Sequence, residues 1–231
     1  MGKQVCGVII FVVFFTSFGG WRLTAYEQSW VSLQIEGGTK LEQDLAEEAV
    51  RRVEKFYLEM GLSLRDPKEV KLIFDDTVRI QDQQIEYALA LFNKRTNTIH
   101  LLHYESTEYV ANAPFGVSNS TELYCSIICH ELAHFYNSVV VPQIEPIADE
   151  FVAATVQFSL LTGKLREQLL KRAPVPSITC PRDLTMNGYL LGGSNFLIAC
   201  YLLAGKCPHL LCRVLQGQSI GIKDPFLVHR E

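Results

Sequence analysis

Positive charge is nowhere in excess in this 231-residue chain: 21 Lys and Arg stand against 25 Asp and Glu, a net charge of -4. That leaves no basic footprint for nucleic acid. No apolar run reaches the roughly twenty residues that a membrane-spanning helix needs. Close C-x-x-C pairs are also missing, which argues against a cysteine-bound second metal site at Cys207 and Cys212. Hydrophobic residues make up 48% and charged residues 20%, ordinary for a folded protein. The length suits one or at most two domains with a proper core.

Residues 1–25 differ in kind. Lys3 precedes an almost wholly apolar run from Val5 to Phe18, followed by Gly19, Gly20 and Ala25. This is the pattern of a secretory signal peptide, and it predicts a secreted or periplasmic protein. A clean A-x-A cleavage site is lacking, so an uncleaved membrane anchor is the alternative. Apart from that anchor no stable membrane insertion is expected. Without Cys6 the chain keeps six of its seven cysteines, an even number, which suggests disulfides in an exported protein. Cys125 and Cys129, one turn apart on a predicted helix, are poorly placed to bridge each other. Each would pair with a later cysteine, or else serve as a small buried apolar residue.

The stretch that organises the chain is C-S-I-I-C-H-E-L-A-H-F-Y-N, Cys125 to Asn137. It holds the H-E-x-x-H pattern in His130, Glu131 and His134. Residues four apart lie one turn apart on one helical face, so both imidazoles can reach a single metal ion. Glu131 is displaced sideways, placed to touch a metal-bound water without being a ligand. No Pro or Gly interrupts the run from Ser120 to Val141. Asn119 followed by Glu122 reads as a helix start with a reciprocating carboxylate. Apolar residues occupy two faces, Leu123 and Ile127 on one, Ile128, Leu132, Phe135 and Val139 on the other. A helix of that kind is buried on both sides. Two histidines inside it need polar partners, and either a metal or hydrogen bonds can supply them.

Around this helix the pattern predicts a strand from Trp30 to Ile35 and a helix capped by Thr39 and ended by Gly61. That helix carries Leu41, Leu45, Val53, Phe56 and Met60 on its apolar side. Strands are predicted at 70–74, 87–92 and 98–102, the last two forming a hairpin across 93–97. His100 and His103 face opposite sides near its end and read as surface or core residues rather than ligands.

Strand, helix, strands and then the motif helix resemble the catalytic core of the zincin metallopeptidases. The resemblance covers residues 30–160. It implies an α+β, zincin-like fold: a small, twisted, mostly antiparallel sheet over the motif helix, with a helical C-terminal subdomain. The expected division is 26–143 for the sheet and active-site helix and 144–231 for the helices. In that family an edge strand of the sheet borders the cleft and pairs with an extended peptide, a role that falls here to one strand of the 87–102 hairpin. The subtype with three histidines is not matched, because Asn137 and Val140 stand where its Gly and third His belong. In the glutamate zincins the third ligand is a Glu on the next helix. Both family forms are present: Asp149-Glu150-Phe151-Val152-Ala153, and Glu145 through Asp149. Glu150 is preferred, since Glu145 sits at the helix mouth, where the helix dipole already explains an acid. Asp149 is placed to orient a ligand histidine.

The resemblance thus implies a zinc-dependent peptidase. One Zn2+ is held by His130, His134 and Glu150, with Glu131 as general base and then acid, and the substrate is a peptide or protein. Tyr189, Tyr201 and His209 are candidates to stabilise an oxyanion. The loop 173–183, with Pro174, Pro176 and Pro181, borders the cleft. Buried helix follows from Leu184, and a short helix is predicted over Pro208 to Leu215. The competing reading, from another class, is an exported non-enzymatic binding protein with a structural or degenerate zinc site.

Overall fold

The computed structural model describes residues 29–62, 67–80, 83–84, 88–111, 114–117, 119–172, 180–185, 188–189 and 192–220. The predicted signal segment and most of the 173–183 loop lie outside them.

Chain order gives β1 (Val31–Glu36), α1 (Lys40–Glu59), β2 (Lys68–Asp75), and a two-stranded antiparallel excursion of β3 (Arg79–Ile80) with β4 (Gln83–Gln84). Then come β5 (Ala90–Asn93), β6 (Thr98–Leu102), α2 (Thr107–Ala111), α3 (Thr121–Val140), α4 (Pro146–Ser159) and α5 (Gly163–Arg172). The described chain closes with α6 (Ser194–Lys206) and α7 (Pro208–Leu215). The class is α+β, with a small mixed sheet in the order β1-β2-β6-β5.

The expectation of a mostly antiparallel sheet is corrected. β1 with β2 and β2 with β6 are both parallel, and only β5 with β6 is antiparallel. The cause is connectivity. The long helix α1 carries the chain back to the end of the sheet where β1 began, which forces a parallel neighbour. Within this sheet only the short turn 93–97 produces a hairpin, and Asn97 there takes the left-handed conformation that asparagine tolerates (φ 51°).

Register aligns one apolar row across all four strands: Ile35, Leu72, Ile99 and Phe92. The row ends on the outer strand β5, where the Phe92 ring meets Phe135 of α3 edge-on at 6.1 Å. Alternation along β2 buries Val70, Leu72 and Phe74, as half-covered strands do. Helices α1 and α3 pack on each other and on this sheet, and α4 lies between α3 and α6. One core joins sheet and helices from Val31 to Ile220.

Two local readings are also corrected. On α1 the buried stripe is Ala46, Ala49, Val50, Val53 and Tyr57, while Leu41 is 43% exposed. Val53 lies in the buried stripe as expected and Leu45, Phe56 and Met60 pack partly buried against the core, but the centre of the face shifts toward Ala46, Ala49 and Val50. The start of α3 is capped by Ser120, whose hydroxyl accepts the Leu123 amide at 3.1 Å. Asn119 instead donates to the Tyr104 carbonyl, and Glu122 accepts from Thr162. Thr39 does cap α1, in a full capping box with Glu42, and Gly61 follows its end with φ 75°. Cys125, Cys129, Cys180, Cys200, Cys207 and Cys212 are all free thiols, so the expected disulfides find no pair among the described residues.

Candidate metal centre

The site grows from the α3–α4 packing. α3 is buried almost continuously from Leu123 to Asn137, as its two apolar faces predict. One turn of it presents His130 and His134 toward α4, whose first turns present Asp149 and Glu150. Pro146 occupies the first position of α4, where its missing N–H costs nothing.

The two Nε2 atoms stand 3.1 Å apart. Glu150 reaches both, with Oε2 3.5 Å from His130 Nε2 and Oε1 3.6 Å from His134 Nε2. Tetrahedral zinc with bonds of about 2.05 Å separates its ligand atoms by about 3.3 Å. The two Nε2 atoms are close to that separation, each carboxylate oxygen faces a different histidine, and one ligand atom from each of the three residues lies within 4.8 Å of the others. His130, His134 and Glu150 form the one group of three or more potential ligands able to hold a metal ion among the described residues.

The chemistry of the donors points the same way. Glu150 Oε2 is buried without a hydrogen-bond donor, 3.5 Å from His130 Nε2, an acceptor that a cation between them would satisfy. His134 is fixed from behind, its Nδ1 lying 3.0 Å from Asp149 Oδ2. That bond makes Nδ1 the protonated nitrogen and leaves the Nε2 lone pair for a metal. His130 Nδ1 is buried without a partner, so His134 is the better oriented of the two.

Electrostatics couple the group tightly. Burial alone would lower the pKa of His134, but the Asp149 carboxylate, with Glu150 and Glu131 nearby, raises it to about 10. Burial would raise Glu150, yet the two histidines and the Tyr189 hydroxyl pull it down to about 2. Glu131 is 8% exposed. Burial pushes its carboxyl up, while both histidines and the Phe92 backbone amide hold it down. That amide is free to do so: Leu102 donates to the Leu89 carbonyl, so alternation turns the peptide groups of Ala90 and Phe92 away from β6. β5 is therefore an outer strand beside the motif helix.

Every metal-site residue expected from the sequence is thus brought together. Glu145 is not part of the group; it caps α4 without a side-chain bond. His100 sits within β6, and His103 bonds Glu42 of α1 at 3.2 Å. Of the three tyrosine and histidine candidates, Tyr189 alone reaches the site, through its bond to Glu150. Tyr201 stacks on Phe158 instead, and His209 is exposed on α7. Missed from the sequence were Tyr57 and the side chain of Asn137, which extend the Asp149 hydrogen bond inward.

Residues 33–220 match a family of unknown function, DUF6639, and the chain belongs to it. No curated protein and no solved structure matches.

Proposed function

We propose that this member of DUF6639 is an exported zinc peptidase of the glutamate-zincin type, with a zincin-like core. The observation that carries the reading is the cluster of His130, His134 and Glu150, whose ligand atoms lie within 4.8 Å of one another, with Glu131 buried beside it. When bound, zinc supplies Lewis acidity that polarises a carbonyl and acidifies a water.

The chain's own residues do the rest. His130 and His134 offer Nε2, and Asp149 keeps the His134 ring turned so that it can. Tyr189 holds the Glu150 carboxylate through its hydroxyl. Glu131, whose proton affinity is raised by burial, accepts a proton from the attacking water and returns it to the departing amine. The outward Ala90 peptide groups and the outward Phe92 carbonyl on β5 suit an extended peptide, which would lie along the edge as an added strand.

The test is elemental analysis of the purified chain together with hydrolysis of a mixed peptide library by wild type and Glu131→Gln. One zinc per chain in both, with hydrolysis lost about 100-fold or more in the variant, is the expected result. Equal hydrolysis by the two proteins rejects the catalytic roles.

A further inference from the structure

The hydrogen bond that orients His134 does not stop at Asp149. Asp149 Oδ1 accepts from Asn137 Nδ2 at 2.7 Å, and Asn137 Oδ1 accepts from the Tyr57 hydroxyl at 2.6 Å. This line runs from α1 through α3 to α4 and back to a histidine of α3. Tyr57 and Asn137 lie 80 residues apart in sequence. Tyr57 is 1% exposed and Asn137 not at all.

Directionality gives the line its meaning. A phenol in this position donates; burial, and next the Asp149 charge, push its pKa well up, so it keeps its proton. Its partner must therefore be the amide oxygen of Asn137, which settles which way that amide faces. The NH2 end is left for Asp149, whose second oxygen then takes the His134 Nδ1–H. Each bond fixes the polarity of the next, and the last exposes the His134 Nε2 lone pair. The Tyr57 ring is itself held, stacked on Tyr136 at 5.0 Å with planes 22° apart. The Ala133 carbonyl, at 3.2 Å, is the more distant of the two acceptors for the single hydroxyl proton. If Asn137 turned over, its oxygen would oppose the Asp149 carboxylate and its NH2 would face the Tyr57 hydroxyl proton.

We propose that Tyr57 and Asn137 are positioning residues for the metal ligand His134, acting through Asp149. The inference rests on the metal-binding reading above and adds to it the source of the site's orientation. A merely structural pair would lose fold stability on mutation and leave metal affinity alone.

The experiment titrates zinc, against a competing chelator, into the metal-free full chain. It compares wild type, Tyr57→Phe, Asp149→Asn and the double variant, with His130→Ala as the control. Outer partners of metal-bound histidines typically contribute about 10- to 100-fold in affinity. Tyr57→Phe is expected to weaken zinc about tenfold, and the double variant to bind within about twofold of Asp149→Asn alone. In the zinc-loaded wild type the His134 Nδ1 proton should be protected in NMR spectra, and it should exchange faster in Tyr57→Phe. Should Tyr57→Phe not fold, Asn137→Asp keeps the acceptor for Tyr57 but sets an acid against Asp149, and the same loss is expected. Unchanged zinc affinity, or losses that simply multiply in the double variant, overturns the proposal while the metal site stands. Wild type binding no more zinc than His130→Ala removes the metal site and the inference with it.

Discussion

His134 and Asp149 are joined at 3.0 Å between Nδ1 and Oδ2, a bond that faces away from His130 and Glu150. The acid thus grips the ring from the opposite end to the candidate metal, so it can set the tautomer without competing for the lone pair. Asp149→Asn should lower zinc affinity about 10- to 100-fold while leaving the ligand count unchanged. Chelator competition reads the affinity. A variant that binds zinc like wild type would show that the ring is oriented by packing alone.

Tyr189 bonds to the Glu150 carboxylate, and its hydroxyl is one of the groups that keep that carboxyl ionised. Removing the donor raises the Glu150 pKa and weakens the ligand. Hydrogen bonds to charged groups contribute about 1.5–3 kcal/mol, so Tyr189→Phe is expected to reduce zinc affinity at least about tenfold. Turnover at saturating zinc should fall less than about threefold. A large loss of turnover with the metal fully bound would instead place this hydroxyl on the reacting oxygen.

The site titrates in opposite senses with and without metal. In the metal-free chain His134, raised to about 10, binds its proton more tightly folded than unfolded. Its contribution to stability is complete below its ordinary value near 6.5 and is lost as pH rises through about 10. Glu150, lowered to about 2, contributes above its ordinary value near 4.5 and loses that contribution as pH falls through about 2. Glu131, pushed up, favours the acid side, as His134 does. Thermal unfolding of the chelated protein should therefore give a higher Tm at about pH 5.5 than at about pH 9. Zinc must displace the proton at Nε2, so zinc affinity should rise over the same interval. Parallel trends in the two measurements would contradict the assignment of His134 as a ligand.

Glu42 is a buried carboxylate that ties three segments together. It accepts the amides of Thr39 at 2.6 Å and Tyr104 at 2.7 Å, and it meets His103 Nδ1 at 3.2 Å. Glu42→Ala leaves those donors without a partner and removes the carboxylate half of the capping box, while Thr39 still caps α1. A loss of about 2–4 kcal/mol in urea unfolding is expected. Zinc affinity per folded molecule should not change, since the site lies on other elements.

What the sequence made legible follows from distance along the chain. His130 and His134 belong to one turn of one helix, so their spacing alone predicts a shared face. Glu150 and Asp149 were readable because Pro146 marks the next helix start, and the structure brings both acids to the histidines. The hairpin 90–102 and the helix at 208–215 were equally local. The α1 stripe was read in part: Val53, Leu45, Phe56 and Met60 do pack on the core, but hydrophobicity favoured the exposed Leu41 over the buried Ala46 and Ala49, which close helix packing selects. Strand direction was misread because α1 acts as a crossover, which no pattern within a strand reveals. Tyr57 gave no signal at all, since its partner is 80 residues away and a tyrosine on an apolar face looks like any core aromatic.

The consecutive acids Asp149 and Glu150 issue from a single helix turn, yet both engage side chains of its neighbour. An ion there would rivet α3 to α4, so cofactor loading and helix docking become one event. Zinc at a hundred times its dissociation constant would add about 2.7 kcal/mol to the folded state. Scarcity of the metal would be felt first as a loosening of that helix pair, and so as shortened protein lifetime in a zinc-poor compartment.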